Sequence, residues 1–324
     1  MSIGSEQQRA LVSGPDLTRF AALAGGALLS SALPRRCDPA VARWLFRLYR
    51  RTFPADLDQV ASRMSRVLPK AAPAQIAALA ESHAEMRIEE AWGRMCGAGL
   101  RAGQPEIEIE GMERLNRALR RGRGAILWSM RLSSSIAIKQ GFHRVGKPLA
   151  HLSSEKHGSL SNSRFGIGVV APLYCRAESA YLAGRIKIPL DGSPRYLVQL
   201  KELLRQNACV SIFGEHQGRQ NAEATVFGEI WRFGLGAPSL AWSEDAALLT
   251  VYATRTGPFR YRVVIDEEIP VATSQPRKRF ARAAVQEFAG RLERRILERP
   301  DDWQGWLYST FPLPEATEGE GPAC

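Results

Sequence analysis

Cysteine is scarce in this chain: Cys37, Cys96, Cys175, Cys209 and Cys324 are odd in number, far apart and never spaced Cys-x-x-Cys. That pattern argues against a disulfide scaffold or a zinc knuckle and suits a reducing compartment. Long apolar runs are lacking too. The charge-free stretch Phe20 to Leu33 covers 14 residues, where a spanning helix needs about 20. It reads either as an interfacial anchor or as an ordinary buried helix, and the neutral to acidic residues before it are poorly suited to an export signal. There is no internal repeat, no Gly-x-Ser-x-Gly elbow and no aromatic-rich RNA-binding signature. Acidic residues are in deficit, 33 against 44 lysines and arginines, for a formal charge of +11. The arginines are spread along the chain, which argues against a basic DNA-binding arm and for a phosphate-rich ligand or an anionic membrane leaflet. What is present, 45% hydrophobic and 24% charged residues in a chain of 324, is enough for an ordinary globular core.

The first hundred residues read as helices. Asp38-Pro39 supplies an N-cap and a first-turn proline. Val41, Trp44, Leu45, Leu48 and Tyr49 then form an apolar stripe with Arg43, Arg47, Arg50 and Arg51 mostly off it. A basic amphipathic helix of this kind either lies on a membrane surface or packs Trp44 and Leu48 inward. A further helix is predicted from Pro73 to about Gly97. Beyond Gly103 strands alternate with helices. Strands are predicted at Glu106 to Glu110, Ala125 to Trp128, Ile186 to Leu190, Cys209 to Phe213, Ala247 to Tyr252 and Tyr261 to Ile265. Helices are predicted at Met112 to Arg121, Arg195 to Arg205, Ala237 to Glu244 and Arg279 to Glu298. Such alternation implies an α/β fold.

Several segments occur in an order that carries a resemblance. Gly122 to Ser129 reads Gly-Arg-Gly-Ala-Ile-Leu-Trp-Ser. Thr225-Val-Phe-Gly228 is followed by Phe233-Gly-Leu-Gly-Ala-Pro-Ser-Leu-Ala241, then Asp266-Glu-Glu-Ile-Pro270. Glu298 to Trp306 closes with Pro300, Trp303 and Trp306. Over roughly Glu106 to Phe311 the chain resembles the lipid A late acyltransferases of the lysophospholipid acyltransferase superfamily. The resemblance implies an α/β fold of the glycerol-phosphate acyltransferase type, a mixed central sheet with helices on both faces and a helical N-terminal region. It divides the chain into a membrane-associating region at 1–103, an acyltransferase-like domain at 104–312 and a disordered tail at 313–324. It further implies acyl transfer from an acyl-carrier protein or acyl-CoA thioester to a phosphorylated glycolipid or related lipid, without cofactor or metal. The place would be the cytoplasmic face of a bacterial inner membrane. Its partners would be an anionic membrane lipid or glycolipid and an acyl-carrier protein; nucleic acid is a poor fit.

The resemblance also exposes a departure. Members of that family use a histidine, with four residues between it and an Asp or Glu, to take the proton of an acceptor hydroxyl. Here those positions are Arg131 and Ile136. An arginine stays protonated and cannot be that base. Either the fold is kept as an inactive lipid- or partner-binding protein, with Arg131 holding a phosphate or carboxylate in its fork of donors, or another residue is the base. Ile212-Phe-Gly-Glu-His-Gln-Gly-Arg219 resembles the superfamily's phosphate-binding motif at Phe213, Glu215 and Arg219. It follows a predicted strand, where open α/β sheets place ligands. His216 and Glu215 are therefore the candidate acid–base residues. Arg131, Ser133, Arg219, Gly234 and Gly236 are the candidate substrate-binding residues, the two glycines because their amides can approach a phosphate, although a tight turn explains them as well. His151 and His157 are expected in solvated loops, His83 and His143 in structural positions. Ser133, Ser134 and Ser135 are expected to cap a helix.

Overall fold

The structure is a computed structural model that describes residues 10–99, 105–190, 193–308 and 311–314. Four helices lead: α1 (Gly14–Ala32), α2 (Asp38–Thr52), α3 (Pro54–Val67) and α4 (Pro73–Ala98). All four have a proline in the first turn, where its missing N–H costs nothing. α1, α2 and α3 all pack on α4. Asp38 is the first helical residue of α2 rather than its N-cap, and its carboxylate instead accepts a hydrogen bond from Trp92 Nε1 at 3.0 Å, fastening α2 to α4. The α2 stripe does not pack inward as a whole. Ala42 and Phe46 are buried, but Trp44 is 57% and Leu48 49% exposed. No helix among the described residues is long and apolar enough to cross a membrane.

The chain then builds β1 (Glu106–Glu110), α5 (Met112–Leu119), β2 (Ala125–Ser129), α6 (Ser135–Arg144), β3 (Leu149–Ser154), α7 (Ala171–Ser179), β4 (Leu182–Ile188), α8 (Arg195–Arg205) and β5 (Cys209–Phe213). A two-stranded hairpin, β6 (Asn221–Val226) and β7 (Glu229–Gly234), precedes α9 (Gly236–Glu244), β8 (Ala247–Gly257), β9 (Arg260–Glu268) and α10 (Arg277–Glu298). Seven strands form one sheet in the order β1-β9-β8-β2-β5-β3-β4. β8, β2, β5, β3 and β4 run parallel, while β9 pairs antiparallel to β8 and takes β1 as its own parallel neighbour. The protein is thus α/β with a mixed central sheet and helices.

The central strands are apolar on both faces because both are covered. Ala125, Leu127 and Leu249 meet α5 and α6 through Leu115, Ala137 and Phe142. Ile126, Trp128 and Val210 face α8, α9 and α10 through Leu204, Leu240 and Phe288. Edge strand β1 is half buried instead. Its isoleucines point inward, and Glu106 and Glu108 meet Arg260 and Arg262 of β9 at 3.0 and 3.5 Å.

One consequence of this winding positions the site. After β2 the chain leaves toward α6 on one face; after the adjacent β5 it leaves toward the hairpin, α9 and α10 on the other. Neighbouring parallel strands whose connections part in this way leave a crevice at their carboxyl ends, where open α/β sheets bind ligands.

Candidate functional site

The loop after β2 carries Arg131, and it is held from two directions. The Arg131 N–H donates to Glu215 Oε1 at 2.6 Å, and its carbonyl accepts from Gln304 N at 3.0 Å. Two residues on, the Ser133 N–H donates to the Asp302 carbonyl at 2.6 Å, and Gln304 Nε2 donates to the Ser133 carbonyl. Ser133 sits at φ 44°, a left-handed conformation that costs a serine free energy and that these bonds enforce. Its hydroxyl is buried with no hydrogen-bond partner among the described residues. Ser134 is the N-cap of α6, accepting from Ala137 N at 3.3 Å.

Glu215 is buried, and both its oxygens are engaged: the second accepts from Trp303 Nε1 at 2.9 Å. Burial pushes its carboxyl pKa up, against the two hydrogen bonds and the nearby Arg131 guanidinium. Its place is therefore that of a strut joining the β2 loop, the β5 loop and the C-terminal segment. It is not beside its chain neighbour His216, whose imidazole has no carboxylate partner among the described residues. His216 is exposed with its ring edge-on to Phe213 at 6.1 Å. Crowding of the ring and then the Arg131 charge push its pKa down to about 4. Arg219 lies exposed in the same loop.

The glycines are placed by packing. The Gly234 amide already donates to the His216 carbonyl at 3.0 Å, and a Cβ there would stand 2.8 Å from that oxygen. Only glycine lets β7 approach the β5 loop so closely. Gly236 begins α9 with open space around it.

Phe213, the last residue of β5, is the hub of a basic ring. The Arg131 guanidinium lies 5.7 Å and Lys139 Nζ 6.0 Å from its centroid, and the His151 ring meets it edge-on at 5.4 Å. Cations at this range are attracted to an aromatic face. His151 is not a solvated loop residue but a fully buried one in β3, its Nδ1 3.3 Å from Ser211 Oγ, which in turn lies 3.2 Å from Ser129 Oγ. Burial holds its pKa well below the ordinary value.

Behind this ring lies a buried charge cluster that no sequence spacing announced. Glu178 of α7 is fully buried and binds Lys139 of α6 through one oxygen and Arg185 of β4, at 2.5 Å, through the other. His157, expected in solvent, has Nε2 3.2 Å from that second oxygen. Arg94 of α4 stacks over Tyr174 at 4.0 Å and faces Glu90 at 3.7 Å. Burial alone would raise the Glu178 pKa, yet Lys139, His157, Arg94 and Arg185 together hold it well below the ordinary carboxylate range. The only sequence signal was Lys139 itself, a lysine within the mostly apolar Ile136-Ala-Ile-Lys-Gln-Gly-Phe142. His157, Cys175 and Glu178 offer ligand atoms within 4.8 Å of one another. Both Glu178 oxygens are already taken by cations, whose charges would repel a metal ion.

Beside the start of α6 is a cavity of about 160 Å³ lined in part by Glu90, Cys96, Ser134, Ile136, Gln140 and Phe259. It borders the Arg131 loop through Ser134. A second cavity of about 90 Å³, under α2, shares Pro39, Glu89 and Phe259 with it.

Asp302, which anchors the Ser133 amide by its carbonyl, carries a pH-dependent stability term. Its side chain is 1% exposed, Oδ2 has no hydrogen-bond partner among the described residues, and burial pushes its pKa up to about 7. The folded chain thus keeps a proton that the unfolded aspartate releases near pH 4. Stability is full below that pH and lost as pH rises to 7, by at most about 4 kcal/mol. Urea midpoints of the wild type are expected to fall between pH 5 and 8, and those of Asp302→Asn to stay level. Parallel curves would refute the assignment.

Comparison with known protein families and with curated proteins gives no match.

Proposed function

We propose that the crevice at the carboxyl ends of β2 and β5 binds a phosphorylated glycolipid or related lipid and transfers an acyl group to it from a thioester. The fold would be of the glycerol-phosphate acyltransferase type. The observation that carries the reading is the placement of Arg131, Lys139, His151 and His216 around Phe213 at a topological switch point of a parallel sheet. Arg131 receives the phosphate, or the oxyanion that forms when a hydroxyl adds to the thioester carbonyl. A preorganised guanidinium in a partly closed crevice stabilises such charge strongly. The cavity beside Ile136 offers space for an acyl chain. The donor is an acyl-carrier protein or acyl-CoA; an acidic carrier suits a chain of charge +11.

The exposed side chains of the N-terminal helices support a position at a membrane surface. Leu17, Leu28, Leu29, Trp44, Leu48 and Phe53 are exposed large apolar side chains of that region. Arg43, Arg47, Arg50 and Arg51 accompany those on α2. Apolar groups that enter the headgroup boundary beside arginines that meet lipid phosphates suit the cytoplasmic face of a bacterial inner membrane.

A second reading, an inactive binding protein on the same fold, is favoured by one observation: Glu215 holds the Arg131 loop and Trp303 instead of orienting His216. The two are separated by giving the purified protein a radiolabelled acyl thioester and a bacterial lipid extract. Acyl transfer requires label in the lipid fraction. Under either reading Arg131→Gln weakens binding of a short-chain phosphatidate, measured by calorimetry, by about tenfold or more, the loss of a charge-assisted contact. Unchanged affinity removes Arg131 from the site.

A further inference from the structure

The reaction needs a proton acceptor, and among the described residues only one imidazole is paired with a carboxylate. His157 Nε2 lies 3.2 Å from Glu178 Oε1. We propose that His157, held by Glu178, takes the proton of the acceptor hydroxyl at this site, in place of His216. The inference rests on the acyl-transfer reading and assigns its base.

Four features fix the imidazole. The His157 N–H donates to the Ser154 carbonyl at 2.9 Å at the end of β3. Its carbonyl accepts from Cys175 Sγ at 3.4 Å. Its ring stands edge-on to Tyr174 at 5.5 Å. Gly158, at φ 97°, lets the chain turn against the same tyrosine, where a Cβ would approach within 2.6 Å; the Gly158 carbonyl is further held by Arg19 Nη1 at 3.1 Å. Glu178 is equally constrained, since Lys139 and Arg185 grip its two oxygens. An imidazole oriented by a carboxylate that is itself oriented is the arrangement that makes a side chain a general base.

The two ring nitrogens differ. Nε2 is closed off against Glu178 and is not aligned as a full hydrogen bond, a looseness common in sites without substrate. The side chain is 29% exposed, which leaves Nδ1 as the nitrogen that meets a hydroxyl. Lys139, whose Nζ lies 6.0 Å from the Phe213 ring centroid, also binds Glu178, so the His157–Glu178 pair borders the basic ring to which Arg131 belongs. Burial lowers its pKa, Lys139 and Arg185 lower it further and Glu178 raises it. Cys175, with its thiol pushed up by burial, Tyr174, pushed up likewise, and neutral His151 complete its titratable surroundings. The ring is thus neutral and available at physiological pH.

The step balances. His157 Nδ1 takes the hydroxyl proton as the oxygen adds to the thioester carbonyl, Glu178 stabilises the imidazolium and Arg131 the oxyanion. The C–S bond then breaks, the ester remains on the lipid, and the imidazolium returns its proton to the leaving thiolate.

Two measurements test the assignment. In the labelled transfer assay, His157→Gln lowers kcat by at least about 100-fold, the lower range for general-base catalysis, while phosphatidate affinity is retained; His216→Gln, which removes one member of the ring around Phe213, lowers kcat less than His157→Gln does. Wild-type turnover that His157→Gln leaves intact overturns the proposal and leaves acyl transfer standing, whereas no wild-type turnover overturns acyl transfer itself. Independently of turnover, ¹⁵N NMR of histidine-labelled protein at pH 7 reads the tautomer. A neutral His157 with the proton on Nε2 and a bare Nδ1 is required. A proton on Nδ1, or an imidazolium, overturns the dyad.

Discussion

Glu178→Ala is expected to destabilise the protein by about 3 to 5 kcal/mol, read from urea unfolding near pH 7. The substitution leaves the Lys139 ammonium, 2% exposed, and the Arg185 guanidinium, 12% exposed, facing each other without their shared anion. Removing one partner of a buried pair strands a charge in a medium that solvates it poorly, and that cost exceeds the net worth of the pair. Against a typical domain stability of about 5 to 15 kcal/mol, the variant is close to unfolding. Lys139→Met alone is also expected to destabilise, since Glu178 then keeps only Arg185 and His157. The double variant Lys139→Met, Glu178→Met removes both ends of the main pair, and its loss is expected to be smaller than the sum of the single losses. Strict additivity would mean that the two side chains do not sense each other, contrary to their contact.

Trp303→Ala is the second large loss, about 3 to 5 kcal/mol for the emptied volume. Trp303 is fully buried, stacked on Trp231 at 5.6 Å and edge-on to Trp306 at 4.8 Å. It also bridges to Leu132 in the Arg131 loop. Its indole N–H satisfies Glu215, so the substitution strands a buried carboxyl oxygen at a further cost of about 1 to 3 kcal/mol. Trp303→Phe keeps most of the ring volume and is expected to show mainly that second term. Equal losses for both variants would show that the hydrogen bond, not the packing, holds the C-terminal segment. A loss below about 1 kcal/mol for Trp303→Ala would refute the strut described for Glu215.

The strands legible in the sequence were those written as short apolar runs bounded by glycine or charge, such as Ala125 to Trp128 and Cys209 to Phe213. β3 was not legible, because Leu149-Ala-His-Leu-Ser-Ser154 places a histidine and serines where a buried strand should be apolar. The histidine is tolerated only because Ser211 of the next strand lies within hydrogen-bonding reach, and that neighbour is fixed by topology. The hairpin β6–β7 was missed because Val226-Phe-Gly-Glu229 lacks the Asn-Gly or Asp-Gly turn that announces such pairs. α1 covers the charge-free run Phe20 to Leu33 up to Ala32. The predicted disordered tail lies, from 315 onward, outside the described residues.

At the site, residue type pointed to Arg131, Glu215 and His216 but not to their relations. Glu215 and His216, adjacent after a predicted strand, read as acid–base candidates, with nothing in the sequence to say that they touch. Neighbouring residues at a strand end point apart, so the carboxylate went to an amide and an indole instead. His157 and Glu178 lie on a loop and a helix that only the β3–α7–β4 crossover brings together, and no motif of fixed spacing describes such a pair.

The central claim is chemical: acyl groups pass from a thioester to a lipid in the crevice of β2 and β5. Its most direct test is incorporation of radiolabelled acyl chain from acyl-carrier protein or acyl-CoA into a bacterial lipid extract by the purified full chain. Label in a phosphorylated lipid, abolished by His157→Gln and reduced by Arg131→Gln, is the expected result. A lipid fraction that stays unlabelled with both donors, from folded protein that still binds short-chain phosphatidate, would contradict it and leave a lipid-binding protein in its place.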